Sequence, residues 1–328
     1  MKTHAFRLHT FGDESVLDWE EVELGELGPG QVLIRHTAVG VNFADIYMRQ
    51  GHFHHQPKLP TGLGLEGAGV IEAIGPDVRD FSVGQRVGYA GGGTVGSYAQ
   101  ARLRSTDGLI ALPDWMDDKV AAAAFSKGMT VQYLFNRTHK LAQGDVILFT
   151  AAAGGVGLIA GQWAHAVGAT IIGTVSNEEK AALARQHGYT HVIVSSKHNV
   201  TDEVMRITQG KGVDVVYDSI GKDSWADSLA SVRRLGLVVL FGTASGAPPP
   251  FDVLKQGSEK SIYVTRATTV NYMTDNAIRQ ASADHLFEMI HSGKVKIVIG
   301  RTYPLRDLPQ AHRDIAARRT TGSVVLIP

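Results

Sequence analysis

The stretch Leu148-Phe149-Thr150-Ala151-Ala152-Ala153-Gly154-Gly155-Val156-Gly157-Leu158-Ile159-Ala160-Gly161-Gln162-Trp163-Ala164 decides the fold. An apolar run ends in a turn dense with small residues, and an Ala/Leu/Ile-rich helical pattern begins at once. Gly154 and Gly157 fit the second and third glycines of the dinucleotide-binding fingerprint, while Ala152 stands at the first, so the strict pattern is broken. The physical case survives that departure. The first amides of a helix have no partner inside it, and its dipole favours an anion there. Gly154 lets a diphosphate touch the backbone; Gly157 lets the helix lie close to the strand.

Working downstream, strands are expected at Val146–Thr150, Thr170–Val175, His191–Val194, Val213–Asp218 and Leu237–Gly242. Helices are expected at Val156–Val167, Glu178–His187, Thr201–Gln209 and Trp225–Arg234. Strict alternation of this kind predicts βαβ units, hence a doubly wound parallel sheet with helices on both faces. Ser261–Thr265 would extend that sheet at its edge. The second strand and its exit, Thr170-Ile171-Ile172-Gly173-Thr174-Val175-Ser176-Asn177, contain no acid. A carboxylate there would bind a ribose 2′-hydroxyl and repel a 2′-phosphate; Ser176 and Lys180 can bind the phosphate instead. The expected cofactor is therefore NADPH rather than NADH.

Upstream, the texture differs. From the N-terminus to about Pro113, short β-branched runs such as Val32–His36, Gly69–Ile74 and Arg86–Tyr89 alternate with Gly, Pro and Asp turns, the pattern of a β-rich barrel. Lys119–Phe135 reads as an Ala-rich helix that leads into the alternating array. The tail reads as helix Ala277–Ser292, strand Val295–Val298, helix Leu308–Arg318 and strand Ser323–Ile327. A closing strand suits a return to the first domain. Residues 1–124 and 267–328 are thus expected to form one discontinuous domain and residues 125–266 the cofactor domain.

Composition narrows the function classes. Of 328 residues 44% are hydrophobic and 20% charged, enough apolar content for two cores. Lys plus Arg and Asp plus Glu both total 32, so no excess positive charge favours a polyanion. The chain has no cysteine, which removes disulfides, thiolate nucleophiles, iron–sulfur clusters and cysteine-ligated zinc. Apolar runs of about half a dozen residues fall far short of the roughly 20 needed to cross a bilayer. With no signal-like N-terminus, the expected location is cytoplasmic.

Several ordered motifs now resemble one family. They are Gly40-Val41-Asn42-Phe43-Ala44-Asp45-Ile46-Tyr47, Gly62-Leu63-Gly64-Leu65-Glu66-Gly67-Ala68-Gly69-Val70, Gly84-Gln85-Arg86-Val87, Ala151–Gly157, Val215-Val216-Tyr217-Asp218-Ser219-Ile220-Gly221 and Tyr263-Val264-Thr265-Arg266. Together they are similar to the zinc-free NADPH:quinone oxidoreductases, the zeta-crystallin-like branch of the medium-chain dehydrogenase/reductase superfamily. The resemblance covers essentially the whole chain. It implies a GroES-like β-rich catalytic domain, a Rossmann domain, an active-site cleft between them, and hydride transfer without zinc. Zinc-dependent relatives place Cys before the helix that here begins near Asn42, and His where Leu65 stands; an apolar Leu65 cannot bind a metal.

Residue by residue, the resemblance implies that Asn42 and Tyr47 line the nicotinamide and quinone site as hydrogen-bond donors. It implies that Thr130 touches the nicotinamide, that Gly154, Gly155 and Val156 hold the diphosphate, and that Ser176 and Lys180 hold the adenosine ribose. Phe241, Gly242 and Ser245 would face the same crevice, and Arg318 would reach the cofactor. One departure stands out. Relatives often carry Tyr followed by Arg after the third strand, whereas Val194-Ser195-Ser196-Lys197 here leaves only Lys197 to supply charge, which predicts a weaker NADPH preference.

Other features have plainer readings. Histidines 52, 54 and 55 lack a nearby acid and are not expected to bind metal; His52 or Phe53 is expected to edge the substrate cleft. His165, His187 and His191 are expected to be structural, and Asp218 to orient a loop. The leading activity is NADPH-dependent quinone reduction. Alternatives are reduction of an activated C=C bond in an enone or alkenal, and a non-enzymatic RNA-binding or structural role, with nucleic acid disfavoured by the balanced charge. An isologous homodimer is expected through edge-strand pairing near Ser261–Thr268.

Overall fold

The computed structural model describes residues 1–53, 56–91 and 95–328, and the chain divides into two units. Residues 1–129, 273–284 and 297–328 form the first, residues 130–272 and 285–296 the second.

The first unit starts with β1 (Lys2–Leu8), β2 (Leu17–Glu23), β3 (Gln31–Val41), β4 (Thr61–Gly62), β5 (Glu66–Ile74), β6 (Arg86–Ala90), β7 (Ala101–Ser105) and β8 (Ile110–Ala111). Strand β3 organises it. Register shifts at Leu33/Ile34 and His36/Ala38 bend β3, so it pairs along its length with β5 and through Gln31–Arg35 with β7. The sequence pattern suggested a strand ending at His36; the bulges carry it on to Val41. Helix α1 (Phe43–Arg49) follows directly. Its Ile46 and Met48 are buried among Phe6, Val39, Val41, Leu63 and Tyr98.

Helix α2 (Asp118–Tyr133) leads from the first unit into the second and ends in a widened turn, Leu134–Thr138. There follow β9 (Val146–Phe149), α3 (Gly155–Val167), β10 (Thr170–Val175), α4 (Glu178–Gln186), β11 (His191–Val194), α5 (Val200–Ile207), β12 (Val213–Asp218), α6 (Trp225–Ser231), β13 (Val232–Leu240) and β14 (Tyr263–Arg266). Among the described residues these strands form one parallel sheet in the order β11-β10-β9-β12-β13-β14. The direction of winding reverses between β9 and β12, where such sheets open a crevice at the carboxyl ends of their strands. Local chemistry sets the boundaries. Asn177 and Asn199 cap α4 and α5 by accepting the amides of Lys180 and Asp202, and Gly168, at φ 85°, ends α3.

Two further elements depart from the sequence reading. Strand β13 starts at Val232 instead of Leu237, because Val232 already pairs with Val213; the ladder then skips to Leu237 opposite Val215, with Leu235 at φ 57° in the bulge. The second departure lies in the tail: α7 (Thr269–Tyr272), α8 (Asn276–His291), β15 (Ile299–Pro304), α9 (Leu308–Ala316) and β16 (Ser323–Ile327). Val295–Val298 is not a strand. The Gln162 side-chain amide accepts the Lys296 N–H and donates to its carbonyl, both at 2.9 Å, replacing a strand neighbour. Pairing starts only at Ile299, parallel to β16, and β16 lies antiparallel to β3 with Val324 opposite Val41. The C-terminal strand therefore completes the N-terminal sheet.

Candidate active site

Strand β9 delivers the chain to the turn at the head of α3. Gly154 is the N-cap, extended at φ −79° and ψ 171°, and no side chain caps the helix. The first-turn amides of Gly155 and Val156 lie where helix geometry supplies no acceptor. A Cβ on Gly154 would meet only the Ala151 carbonyl oxygen, at 3.2 Å, so that side of the turn is open enough to cradle a diphosphate. A Cβ on Gly157 would lie 2.5 and 2.6 Å from the carbonyl oxygens of Ala151 and Ala152, so only glycine lets the helix begin there. The broken fingerprint has a local explanation. The residue at positive φ is Ala151, at 54°, while the buried Ala152 donates its N–H to Thr174 and needs no left-handed freedom.

At the exit of β10, Ser176 is exposed and its carbonyl accepts the Ser196 hydroxyl, tying the ends of β10 and β11 together. Lys180 sits in the first turn of α4. Lys197, the only cation expected after the third strand, pairs with Glu178 at 2.9 Å; both side chains are more than half exposed, so the pair is weak and a phosphate can compete for the ammonium. At the exits of β12 and β13, Asp218 is fully buried and accepts from the amides of Ile220 and Gly221 and the hydroxyls of Ser224 and Ser228. It organises the loop, as its strand-end position suggested. Phe241 donates its N–H to the Asp218 carbonyl and packs on Phe149, ring centroids 5.5 Å apart. The Ser245 hydroxyl donates to Ile220 and accepts from Asp223 N–H. The sheet thus gathers Gly154, Gly155, Val156, Ser176, Lys180, Phe241 and Ser245 at its carboxyl edge. Thr130 lies on α2, where its hydroxyl and that of Thr269 hydrogen-bond the buried Tyr133 phenol, whose pKa burial pushes up to about 12.

The first unit holds the remaining candidates. Tyr47 is half-buried on α1 beside Phe43, ring centroids 5.8 Å apart, and Arg318 is exposed after α9 at φ 58°. His52 is exposed, and its N–H bonds the Tyr47 carbonyl; Phe53 packs against the core. His54 and His55 lie outside the described residues. Asn42 occupies the N-cap of α1, and its amide is gripped from two sides. Lys127 Nζ donates to Asn42 Oδ1 at 2.8 Å and to Glu66 Oε2 at 3.0 Å, while Asn42 Nδ2 donates to Glu66 Oε2 at 2.9 Å. Ser126 N–H fills Glu66 Oε1 at 2.6 Å. Glu66 is wholly buried and Lys127 nearly so. Glu66 enters this position by passing over Gly40, its partner in the β3–β5 ladder. A Cβ on Gly40 would stand 2.3 Å from Glu66 Oε2 and 2.2 Å from the Ala122 carbonyl oxygen.

A second chain of bonds runs behind α1. Asp45 Oδ2 accepts Asn42 N–H at 2.9 Å and the Tyr98 hydroxyl at 2.7 Å. His312 Nε2 approaches Tyr98 Oη at 3.4 Å, and Arg49 donates to His312 Nδ1 at 3.0 Å. Because guanidinium only donates, His312 carries its proton on Nε2. Burial, then repulsion by Arg49, lowers the His312 pKa to about 3 and keeps it neutral. Burial raises the Asp45 pKa to about 7, against the Tyr98 and Asn42 hydrogen bonds. Asp45 therefore binds its proton more tightly folded than unfolded. Its contribution to stability is complete below about pH 4 and is lost as pH rises through 7, on the order of 4 kcal/mol. Asp45→Asn keeps an acceptor for Tyr98 and Asn42 but cannot ionise. Melting curves from pH 4 to 8 should show a smaller decline for the variant than for the wild type; parallel declines would contradict the assignment.

Sequence reasoning passed over Glu66, Lys127 and Asp45 as site residues, although Glu66 and Asp45 sit in the quoted motifs and Lys127 in the expected helix Lys119–Phe135. The available signal was an acid inside the glycine-rich run Gly62–Val70 and a lysine closing the Ala-rich stretch Ala121–Phe125.

Comparison with known proteins places this geometry. Residues 28–114 match the alcohol dehydrogenase GroES-like domain family and residues 155–288 the zinc-binding dehydrogenase family. A β-rich GroES-like unit and a doubly wound parallel unit on one chain define the medium-chain dehydrogenase/reductase class. Within that class, the chain belongs to the quinone oxidoreductase family. It is 46% identical over 318 residues to the quinone oxidoreductase of Pseudomonas aeruginosa, covering 97% of each chain. It is 43% identical over 326 residues to the 2-haloacrylate reductase of a Burkholderia species, covering 98% of each. The crystal structure of Escherichia coli quinone oxidoreductase complexed with NADPH matches at a TM-score of 0.94 and 38% identity, covering 99% of this chain and 100% of that one.

The zinc named by one matching family does not fit the residues here. Beside Leu65 and Asn42, the donor cluster holds a lysine ammonium between an amide and a carboxylate, and a cation already in place repels a dication.

Proposed function

We propose that this protein is an NADPH-dependent quinone reductase that transfers hydride without a metal ion. The observation that carries this reading is the uncapped, glycine-opened start of α3 at the carboxyl end of β9, a ready seat for the cofactor diphosphate. Gly154, Gly155 and Val156 would hold that diphosphate. Ser176 and Lys180 would hold the adenosine ribose and its phosphate, and Phe241, Ser245, Thr130 and Arg318 would complete the contacts. Bound NADPH supplies a hydride from its nicotinamide C4. The protein's task is then orientation and charge. Holding donor and acceptor face to face can lower a barrier by roughly 7–11 kcal/mol. Negative charge builds on the quinone oxygen as hydride arrives, and N–H and O–H donors there stabilise it. Asn42, the N-cap of α1, and Tyr47, five residues further on, are the proposed donors. Tyr47 or water delivers the proton that completes the hydroquinone.

A second reading has its own support: a relative at 43% identity is a 2-haloacrylate reductase, so an activated C=C bond is the alternative hydride acceptor. Stopped-flow NADPH oxidation against 1,4-benzoquinone, an ortho-quinone and an alkenal separates the two. Faster turnover of the quinones supports the main reading, and turnover of the alkenal alone would replace it. Lys180→Ala should weaken NADPH more than NADH, measured by calorimetry, because only NADPH carries the 2′-phosphate; equal losses would contradict the phosphate role.

The assembly proposed with this activity is a homodimer, and its proposed location is the cytoplasm, where NADPH is the common reductant. Among the described residues no helix is long and apolar enough to cross a membrane. Among the described residues β14 bonds only β13 within its sheet, and Tyr263 in it and Leu254 in the segment before it are 64% and 84% exposed, a poor edge to leave in water. Light scattering should return twice the chain mass, and Tyr263→Asp should shift it toward the monomer; a monomeric wild type would refute the pairing.

A further inference from the structure

We propose that Lys127 is a positioning residue for the reduction: its buried ammonium, anchored on the Glu66 carboxylate, locks the Asn42 amide in one orientation and keeps an N–H of that amide available to the hydride acceptor. The inference rests on the reductase reading and adds a residue to it.

The chemistry of the three groups fixes the arrangement. An ammonium can only donate and a carboxylate can only accept. The amide face toward Lys127, at 2.8 Å, must therefore be Oδ1, and the face toward Glu66, at 2.9 Å, must be Nδ2. Nδ2 carries two hydrogens and Glu66 takes one, which leaves the other as a donor. Were either partner replaced by a neutral amide, the Asn42 side chain could turn over and present its carbonyl instead. An oxygen there would repel the charge that develops on the acceptor.

Lys127 has a second effect through Glu66. That carboxylate is fully buried, with Ser126 N–H on Oε1 and Asn42 and Lys127 on Oε2. Without the ammonium it would be an uncompensated anion in direct contact with the proposed donor amide, opposing the reduction as well as the fold. A purely structural ion pair would need Lys127 only for the fold. Orientation of Asn42 predicts a loss that survives when charge balance is restored.

The test uses the full-length protein carrying Lys127→Met, Lys127→Arg, or the neutral pair Glu66→Gln with Lys127→Met. Melting temperature, NADPH Kd, and kcat and KM for 1,4-benzoquinone are measured for each. Lys127→Met should lower kcat about tenfold to a hundredfold while NADPH Kd stays within about twofold. Lys127→Arg, which keeps charge and donors, should recover most of that loss. The neutral pair should regain the melting temperature yet remain slow, and it carries the test if the single variant fails to fold. A neutral pair restored in both stability and kcat would overturn the proposal, as would wild-type kcat in Lys127→Met. A wild type that binds NADPH but reduces neither quinone nor alkenal would instead defeat the reductase reading itself.

Discussion

Gly157→Ala is expected to lower affinity for NADPH and NADH alike by about a hundredfold. The new Cβ would sit 2.5 Å from the Ala151 carbonyl oxygen and 2.6 Å from that of Ala152, and both are backbone atoms that no side-chain rotation can move. The first turn of α3 must then back away from β9. That turn is also pinned from behind, because the buried Tyr189 hydroxyl donates to the Gly157 carbonyl at 2.9 Å. Overpacking of this kind costs about 2–3 kcal/mol, and a displacement of the amides that face the diphosphate converts into about two decades of affinity. The loss should be equal for the two coenzymes, since the diphosphate is common to both; Lys180→Ala is the contrasting case. Calorimetric titration with each coenzyme checks this. Unchanged affinity in a folded Gly157→Ala protein would remove the diphosphate from this turn.

Gly40→Ala is expected to damage the other half of the chemistry. Its Cβ would fall 2.2 Å from the Ala122 carbonyl oxygen and 2.3 Å from Glu66 Oε2. Either β3 moves away from α2 or the carboxylate leaves its three donors. Displacing Glu66 strands the Lys127 ammonium and frees the Asn42 amide at the same time. Breaking a buried pair in this way costs about 3–5 kcal/mol. Quinone turnover should fall by more than tenfold and the melting temperature by several degrees, while NADPH affinity, set chiefly at α3, stays within a few-fold. Normal turnover from a folded Gly40→Ala protein would separate the Asn42–Glu66–Lys127 cluster from the reaction.

The two glycines show what a sequence can and cannot display. Gly157 was legible because its partners, Ala151 and Ala152, lie within six residues and the strand–turn–helix order fixes their geometry locally. The alternating strands of the second unit were legible for the same reason: apolar runs such as Val146–Phe149 reveal a sheet covered on both faces. Gly40 was quoted as part of a motif, but its purpose depends on Glu66 and Ala122 arriving from other elements. Asn42, Glu66 and Lys127 are separated by 24 and 61 residues, and charged side chains ordinarily read as solvent-facing. The ladder of the bent β3 with β5 brings Glu66 to Asn42, and α2 adds Lys127. The strand expected at Val295–Val298 fails for a similar reason, since Gln162 reaches Lys296 across 134 residues.

The central claim is hydride transfer from NADPH, and single-turnover stopped flow with NADPH deuterated at both C4 positions tests it most directly. Enzyme, coenzyme and 1,4-benzoquinone are mixed without oxygen, and decay of the reduced-nicotinamide absorbance is followed. Stoichiometric decay, clearly slowed by deuterium, is the predicted result. No decay with quinone or alkenal, in a protein whose calorimetry also shows no NADPH binding, would contradict the account.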